Sequence, residues 1–200
     1  MKKFELTSEF ITNIFGTKLF RIKALIEFGN VKAGELGGFV EKEENLSQDG
    51  NAWVYDNARV YGDACVCGDA RVCGDACVYD NARVCGDACV YGDARVYGDA
   101  CVYGDACVYG DARVYGDACV CGDACVYGDA GYATVHGFGS EYRTTTFFKT
   151  KAGDIGVKCG CFYGNLSEFR KKVVETHGET KKAKEYLMLA DLMEFRLTHK

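Results

Sequence analysis

The sequence predicts a mainly β fold, a solenoid of short strands with a cap at each end. Between Asn51 and Ala130 the six-residue phrase Ala-x-Val-[Tyr/Cys]-Gly-Asp recurs without a gap, and a valine returns at every sixth position from Val54 to Val126. A fixed short period of this kind is typical of solenoids. Alanine and valine lie two residues apart, so they share one face of a short strand, and the residues that flank valine point the other way. Gly-Asp then supplies the turn.

The repeat divides the chain into three parts. Residues 1–36 form a small mixed N-terminal cap, with a strand predicted over Leu19 to Ile26. Residues 37–136 form the solenoid, because the rhythm of the repeat is already present at Val40 and decays only after the array. Residues 137–200 form a C-terminal module that begins with a glycine-rich boundary.

A β-hairpin opens the C-terminal module. Strand-like runs at 143–150 and 155–162 are joined by Lys151-Ala152-Gly153-Asp154, a sequence typical of a hairpin turn. Cys159 and Cys161 are two residues apart on the second predicted strand, so we expect both thiols on one face, packed as small hydrophobic groups.

Two helices follow the hairpin. Asn165 lies three residues before Glu168, which is the spacing of a capping box, and apolar residues then keep a helical period until Gly178. Thr180 can cap the second helix, whose apolar positions include Ala183, Tyr186, Leu187, Ala190, Met193 and Leu197. The module is therefore predicted to be α+β.

Charge is distributed unevenly along the chain. The net charge is -5, with 48% apolar residues, a content that can bury a core and excludes a disordered chain. The array holds thirteen Asp against five Arg, whereas residues 131–200 carry a net charge of +4. An acidic solenoid repels phosphate backbones, so we do not expect it to bind nucleic acid directly.

Cysteine content and the N-terminus predict a cytoplasmic protein. There is no apolar run long enough to span a membrane, and Met1-Lys2-Lys3-Phe4-Glu5 lacks the apolar region of a signal peptide. We therefore expect no membrane partner. The thirteen cysteines are an odd number, and eleven of them lie in outward-pointing slots of the repeat. Free thiols in a reducing compartment are the simplest interpretation.

The array resembles the hexapeptide repeat of left-handed parallel β-helix proteins, in which an aliphatic residue is followed four positions later by a small one, as Val60 is by Ala64. Its flanks are similar to those of uncharacterised bacterial and prophage-borne hexapeptide-repeat proteins that carry labels such as transferase or polymer-forming cytoskeletal protein. The segments are Leu19-Phe20-Arg21-Ile22, Gly34-Glu35-Leu36-Gly37-Gly38-Phe39-Val40, Gly50-Asn51-Ala52-Trp53-Val54, Arg143-Thr144-Thr145-Thr146-Phe147-Phe148 and Cys159-Gly160-Cys161-Phe162-Tyr163-Gly164. The resemblance implies three hexapeptides per coil, about five coils and no established activity.

With three phrases per coil, residues eighteen apart stack in columns about 4.8 Å apart. One face then carries an unbroken tyrosine ladder, which is a candidate binding surface: Tyr61, Tyr79, Tyr97 and Tyr115. The second outward column reads Cys67, Cys85, Tyr103 and Cys121, and the third reads Tyr55, Cys73, Tyr91, Tyr109 and Tyr127. Near copies at a period of twenty-four residues leave recent duplication open as the origin of the ladder.

The aspartates of the turns form acidic rows at the corners. One row contains Asp63, Asp99 and Asp117, and another contains Asp69, Asp87, Asp105 and Asp123. These rows could bind cations or imitate a phosphate backbone, but turn formation alone accounts for Asp at this slot. Outward thiols such as Cys89, Cys107 and Cys125 could collect a soft metal, yet no C-x-x-C pair or nearby histidine accompanies them. We predict no metal site and no cofactor.

Histidine is the residue that would decide for an enzyme. The resemblance implies that an acyltransferase of this fold would depend on a histidine base and on a loop that leaves the solenoid. The chain has only His136, His177 and His199, and only His136 lies at the edge of the repeat. The array has no insertion that could form such a loop, and no P-loop, Gly-x-Ser-x-Gly or His-Glu-x-x-His motif occurs. We therefore assign no catalytic residue.

The function predicted from the sequence is that of a non-enzymatic β-solenoid scaffold or binding protein that self-associates, with a host protein as a further candidate partner. The motive is the exposed apolar area of the tyrosine and cysteine columns. Two alternatives stay open. One is a hexapeptide acyltransferase, and the other is a phage-encoded inhibitor of host defence that offers an acidic, nucleic-acid-like face or captures a small ligand.

Overall fold

The computed structural model describes residues 2–139, 141 and 143–198. It is mainly β, with a parallel β-solenoid of about five coils, an N-terminal hairpin against its first coil and an antiparallel sheet with two helices after its last. This architecture confirms the predicted fold class. In the described chain no helix is both long and apolar enough to cross a membrane.

The solenoid has three faces, each of parallel strands of two or three residues, and longer N-terminal strands continue the first face. The first face continues the N-terminal hairpin, and its strands are β1 (Phe4–Thr12), β2 (Lys18–Ala24), β3 (Leu36–Val40), β5 (Arg59–Val60), β8 (Cys77–Val78), β11 (Arg95–Val96) and β14 (Arg113–Val114). The second face is β4 (Trp53–Val54), β7 (Arg71–Val72), β10 (Cys89–Val90), β13 (Cys107–Tyr109) and β16 (Cys125–Tyr127). The third is β6 (Cys65–Val66), β9 (Arg83–Val84), β12 (Cys101–Val102) and β15 (Cys119–Val120).

Residues eighteen apart are strand partners, as the repeat predicts. Val60 pairs with Val78 and Val78 with Val96, and the register is the same on the other two faces. From Ala52 to Val126 every alanine and valine of the repeat is at most 1% exposed, so the interior is a narrow column of methyl groups. Burial of one such valine contributes about 1.5–3 kcal/mol relative to exposure.

The N-terminal cap is an antiparallel hairpin of β1 and β2, and β3 pairs with β2 on one side and with β5 on the other. The strand predicted over Leu19 to Ile26 is present as β2, and β1 is an additional strand that the sequence analysis missed. The hairpin covers the open end of the first face, and Trp53 is buried beneath Phe4 and Phe28.

The C-terminal module contains four antiparallel strands in chain order: β17 (Tyr132–Val135), β18 (Thr145–Lys149), β19 (Ile155–Cys159) and β20 (Phe162–Asn165). The predicted hairpin is confirmed as β18 and β19, and β17 and β20 extend it on either side. Two 3-10 turns, Glu43–Asn45 and Asp129–Gly131, lie at the two ends of the array.

The two predicted helices are α1 (Leu166–His177) and α2 (Lys181–Thr198). The capping box of α1 is confirmed: the Glu168 N–H donates to Asn165 Oδ1 at 2.9 Å, and the Asn165 N–H donates to Glu168 Oε2 at 2.8 Å. The Ala183 N–H donates to the Thr180 hydroxyl at 3.3 Å, as the predicted second cap requires. Both helices pack on the sheet through a second core that includes Phe147, Phe169 and Tyr186.

Candidate binding surface

The tyrosine ladder lies on the first face of the solenoid. Each of its rings follows an inward valine, so it points outward, and each ring's residue is one coil above the last. The ring centroids of Tyr61 and Tyr79 are 5.0 Å apart, those of Tyr79 and Tyr97 are 4.9 Å apart, and those of Tyr97 and Tyr115 are 5.4 Å apart. The interplanar angles are 3°, 0° and 15°, so the rings form one continuous stack.

Stacking makes the ladder an uncharged aromatic strip. Burial raises the pKa of Tyr61 to about 12 and also raises the pKa of Tyr79, so both phenols keep their protons at neutral pH. Tyr115, at the C-terminal end of the ladder, is 51% exposed, whereas the three rings before it are half-buried by their neighbours.

Arginines run beside the ladder in the column that precedes the inward valines. Arginine lies two residues before tyrosine in three repeats of this face, where the strand ends at the valine between them: Arg59 before Tyr61, Arg95 before Tyr97 and Arg113 before Tyr115. Cys77 takes the remaining place, before Tyr79. Side chains two apart on a strand share a side of the sheet. The first face therefore presents tyrosine and arginine in parallel columns, and these two residue types are enriched among the dominant residues of protein interfaces.

A second, interrupted ladder lies on the second face. Tyr91 and Tyr109 stack with centroids 5.1 Å apart, and Tyr127 tilts by 53° against Tyr109 at 5.0 Å. In the same column Cys73 separates Tyr55 from Tyr91.

On the third face thiols take most of the outward slots. Cys67 Sγ contacts Cys85 Sγ at 2.6 Å, and Cys119 Sγ lies 3.5 Å from the Tyr103 hydroxyl. Cys121 is 2% exposed, although its slot in the repeat points outward from the solenoid. The C-terminal module covers it: β18 packs against β15, and Tyr163 reaches Gly122 next to Cys121.

The acidic rows are exposed, and several of their members have local partners. Lys42 Nζ lies 2.6 Å from Asp63 Oδ1, and this hydrogen bond holds the pKa of Asp63 below its usual value. Further members accept hydrogen bonds from Asn51 (Asp69), Asn81 (Asp99), Thr144 (Asp117) and Tyr163 (Asp123). Asp87 and Asp105 use their carbonyl oxygens, which accept the thiols of Cys89 and Cys107 at 3.8 Å.

Within the described residues no group of three or more His, Cys, Asp or Glu side chains is arranged to hold a metal ion. The array thiols other than Cys121 are half-buried, and burial raises the pKa of Cys73, Cys77 and Cys101, which keeps these three protonated. In the C-terminal module the prediction that Cys159 and Cys161 share one strand face is wrong. Cys159 ends β19, and Cys161 is exposed in the turn that follows Gly160, whose φ is +57°.

His136 has a polar partner in the C-terminal module. Its Nδ1 lies 3.0 Å from the Thr144 hydroxyl, which donates to Asp117 Oδ2 at 3.4 Å. The three groups are exposed or half-exposed at the end of the array. His177 instead ends α1 and lies with its ring centroid 5.7 Å from that of Tyr186. His199 falls outside the described residues.

Two of the cavities in the described part of the chain lie beside or within the C-terminal module, and neither was predicted from the sequence. One, of about 390 Å³, lies at the end of the tyrosine ladder between the solenoid and α2, where Tyr115, Tyr132 and Arg196 are among its walls. The other, of about 260 Å³, lies in the C-terminal module and is lined by Phe162, His177 and other residues. Each joins segments that are separated along the chain, so no local pattern could have indicated it.

The array is the part of the chain that matches a known family. The YdcK beta solenoid repeat family matches at residues 52–68, 70–86, 82–98, 88–104, 94–110 and 106–122. The array is a hexapeptide-repeat β-solenoid. The match confirms the resemblance on which the fold prediction drew, and it covers the three faces but neither cap.

One relative is the "Uncharacterized acetyltransferase YdcK" of Escherichia coli (strain K12). It is 40% identical to the chain over 63 residues, which are 28% of this chain and 19% of the relative. The chain thus spans about a fifth of the length of this relative. The similarity supports the solenoid fold of the array, and the acetyltransferase name is that of the relative.

Proposed function

We propose that the chain is a non-enzymatic binding scaffold that self-associates through the tyrosine ladder. The observation that carries the proposal is the continuous stack of four tyrosines at 4.9–5.4 Å. Such a stack is rigid before binding, because each ring is held by its neighbours and by a backbone in parallel register. Rigid aromatic side chains lose little conformational entropy when a partner covers them.

The arginine column beside the ladder suits a second copy of the same face. If two copies pack face to face around a two-fold axis parallel to the solenoid, the left and right columns exchange places. The guanidinium groups of Arg59, Arg95 and Arg113 of one copy then lie over the tyrosine rings of the other. Cation–π contacts of this kind contribute about 0.5–2 kcal/mol each, more when desolvated. A two-fold contact makes the interface self-complementary.

The continuity of the array favours binding over catalysis. From Ala52 to Ala130 every phrase has six residues, so no loop leaves the solenoid to enclose a substrate. Flat, regular faces suit a protein partner, and a host protein is the second kind of partner that the tyrosine ladder fits. Aromatic and arginine side chains would anchor either partner.

Capture of an untagged copy by an affinity-tagged copy tests the proposal. We expect the untagged chain to be recovered with the tagged one, and Tyr79→Ser with Tyr97→Ser to reduce the recovery by tenfold or more, since loss of two interface anchors costs about 2 kcal/mol or more. Tyr91→Ser with Tyr109→Ser is the matched control, because it interrupts the stacked pair of the second face and should leave recovery unchanged. Equal loss in both variants, or in neither, would refute the ladder as the contact. Circular dichroism must show the same β content for all chains.

Acetyl transfer is a second candidate, favoured by a specific contact. The hydrogen bonds that link His136 to Thr144 and Thr144 to Asp117 could orient the imidazole as a general base. The relative with 40% identity is named an acetyltransferase. The measurement is chromatographic detection of CoA released from acetyl-CoA, with His136→Ala and Thr144→Val compared with the parent chain. The scaffold proposal expects release at the background rate in all three. Release that His136→Ala abolishes would establish the enzyme instead.

A further inference from the structure

The second face contains a gap in a column of stacked rings. Its outward column runs Tyr55, Cys73, Tyr91, Tyr109 and Tyr127, so the second rung has a thiol where the others have a phenol. A notch of about 480 Å³ opens at this place, and Tyr55 and Tyr91 are among its walls. The notch also includes Arg71, Cys89 and Cys107 from the neighbouring column.

The strand register fixes the width of the notch. Trp53 pairs with Arg71 and Arg71 with Cys89, so the residues two positions later, Tyr55, Cys73 and Tyr91, occupy three successive coils. Two strand spacings separate Tyr55 from Tyr91, about 9.6 Å at the backbone. One further ring between them would lie about 5 Å from each, which is within the range of offset stacking. The column already uses this spacing, since Tyr91 and Tyr109 stack at 5.1 Å.

The floor of the notch is soft and uncharged. The Cys73 thiol turns toward the backbone, where it donates to the Val90 carbonyl at 3.9 Å, and this leaves the rung open. Burial raises the pKa of Cys73 and of Cys107, so these thiols stay neutral at physiological pH. Neutral sulfur makes favourable contacts with aromatic rings. The notch therefore suits an apolar planar group, which the neutral thiols of Cys73 and Cys107 can contact.

A cation lies directly beside the open rung. Arg71 is two residues before Cys73 on the same coil and is exposed, and among the described residues it forms no salt bridge and lies over no aromatic ring. Asp56 also lines the notch, but its Oδ2 accepts the Gly74 N–H at 3.1 Å, so this carboxylate is held at the corner. An acidic group on a ligand would give Arg71 its counter-ion.

We propose that the notch between Tyr55 and Tyr91 binds a planar aromatic ring that carries an anionic group, with the ring in the open rung and the anion on Arg71. The ligand completes the interrupted stack. This site lies on a different face from the tyrosine ladder, so it does not depend on the proposed self-association.

Titration calorimetry with 4-hydroxybenzoate tests the site, because this probe combines the missing phenol ring with a carboxylate. Phenol lacks the charge and cyclohexanecarboxylate lacks the aromatic ring. We expect saturable binding of 4-hydroxybenzoate with one site per chain, and binding at least tenfold weaker for cyclohexanecarboxylate. Replacement of Arg71 by Leu should weaken 4-hydroxybenzoate about two- to fivefold, as for an exposed ion pair, and leave phenol unchanged.

Cys73→Tyr is the decisive variant, since it fills the rung with the residue that the column uses at its other places. We expect it to abolish 4-hydroxybenzoate binding without loss of thermal stability. Cys85→Tyr makes the same change on the third face and should bind as the parent does. The proposal is overturned if the parent shows no saturable binding, if Cys73→Tyr still binds, if Cys85→Tyr loses binding as well, or if cyclohexanecarboxylate binds equally well.

Discussion

Alanine and valine inside the solenoid determine how little space each coil has. Ala94 and Val96 are both fully buried, and their neighbours one coil away are alanine and valine again. Among the described residues, no polar side chain faces the interior of the central coils, so a charge placed there would have no partner. Each inward position is therefore intolerant of polar substitution, whereas the adjacent outward positions vary freely among Arg, Cys and Trp.

Ala94→Glu should bury an unpaired carboxylate and destabilise the chain by on the order of 3–5 kcal/mol, because no cation or donor lies within the methyl column. Arg95→Glu is the control, since it places the same carboxylate one residue further along but at an exposed position. Surface changes of this kind usually cost about 0.5 kcal/mol. Thermal melts of both variants decide the matter, and a melt of Ala94→Glu that matches the parent would refute the inward assignment.

Lys3 is a buried cation with a pH-dependent cost. It is 2% exposed, and its Nζ donates to the carbonyls of Ala52 at 3.0 Å and Gly50 at 3.3 Å. Burial lowers the pKa of Lys3 to about 8, although Asp49 and Asp69 oppose this effect. The unfolded chain keeps this proton up to about pH 10.4. Between these two values the unfolded chain binds more protons, so folding stability should rise as the pH rises.

For Lys3 the prediction is a difference in the free energy of unfolding between the parent chain and the Lys3→Met variant. From pH 7 to pH 9.5 the parent should gain on the order of 2 kcal/mol relative to Lys3→Met, which carries no proton in either state. Urea unfolding at both pH values gives the comparison, and all other titrating groups are common to the two chains. Parallel pH profiles would show that Lys3 is not desolvated in the folded chain.

At the residue scale the sequence predicts what depends on the repeat and misses what depends on distant contacts. The inward Ala and Val and the outward Tyr follow from strand alternation. The burial of Cys121 does not follow from strand alternation, because the C-terminal module covers this residue. The bond between His136 and Thr144 does not follow from it either, because Thr144 lies just before the start of a different strand. No local pattern announces either.

The corners are the elements on which coil stacking depends. At most turns of the array a glycine adopts a positive φ near +70°, and a Cβ added at Gly68, Gly74 or Gly98 would press on the backbone of the glycine one coil further along. Asp56 and Asp80 take this conformation without being glycine, at φ of 52° and 60°. Their carboxylates accept the N–H of Gly74 and Gly98 in the next coil, at 3.1 and 3.2 Å, which offsets the strain.

Gly98→Ala and Gly116→Ala separate the two demands on a corner. Both have positive φ, so each variant pays about 1–2 kcal/mol for the backbone conformation. A Cβ at Gly98 would also lie 3.0 Å from the Gly116 nitrogen, whereas one at Gly116 meets nothing within 4 Å. We expect Gly98→Ala to be the more destabilising of the two in thermal melts. Equal losses of thermal stability would mean that contact between successive coils does not restrict which residue can occupy a corner.

At the element scale, elements with a local sequence signal could be predicted, and elements that depend on long-range strand pairing could not. The capping box, the hairpin turn and the six-residue period identify α1, the β18–β19 pair and the array from adjacent residues. Strands β1, β17 and β20 lack such a signal, since each is defined by its partner in the sheet. The binding notch in the second-face column could be recognised only from the strand register together with the width of the gap.

The whole molecule is a rod of about five coils with a cap on each end. The caps cover the terminal strands of the array, which reduces open-ended stacking of one solenoid on another. Lateral faces remain, and the first of them carries the stacked tyrosines. Because self-association through this face would cover exposed aromatic area, it accounts for an outward surface that is unusually apolar for a single chain.

Light scattering on the full chain at tens of micromolar tests the central claim most directly. The account predicts a particle of at least two copies of the 21.9 kDa chain, and a return to a single copy when Tyr79→Ser is combined with Tyr97→Ser. A parent chain that scatters as one 21.9 kDa copy, or a double variant that keeps the mass of the parent assembly, would contradict it.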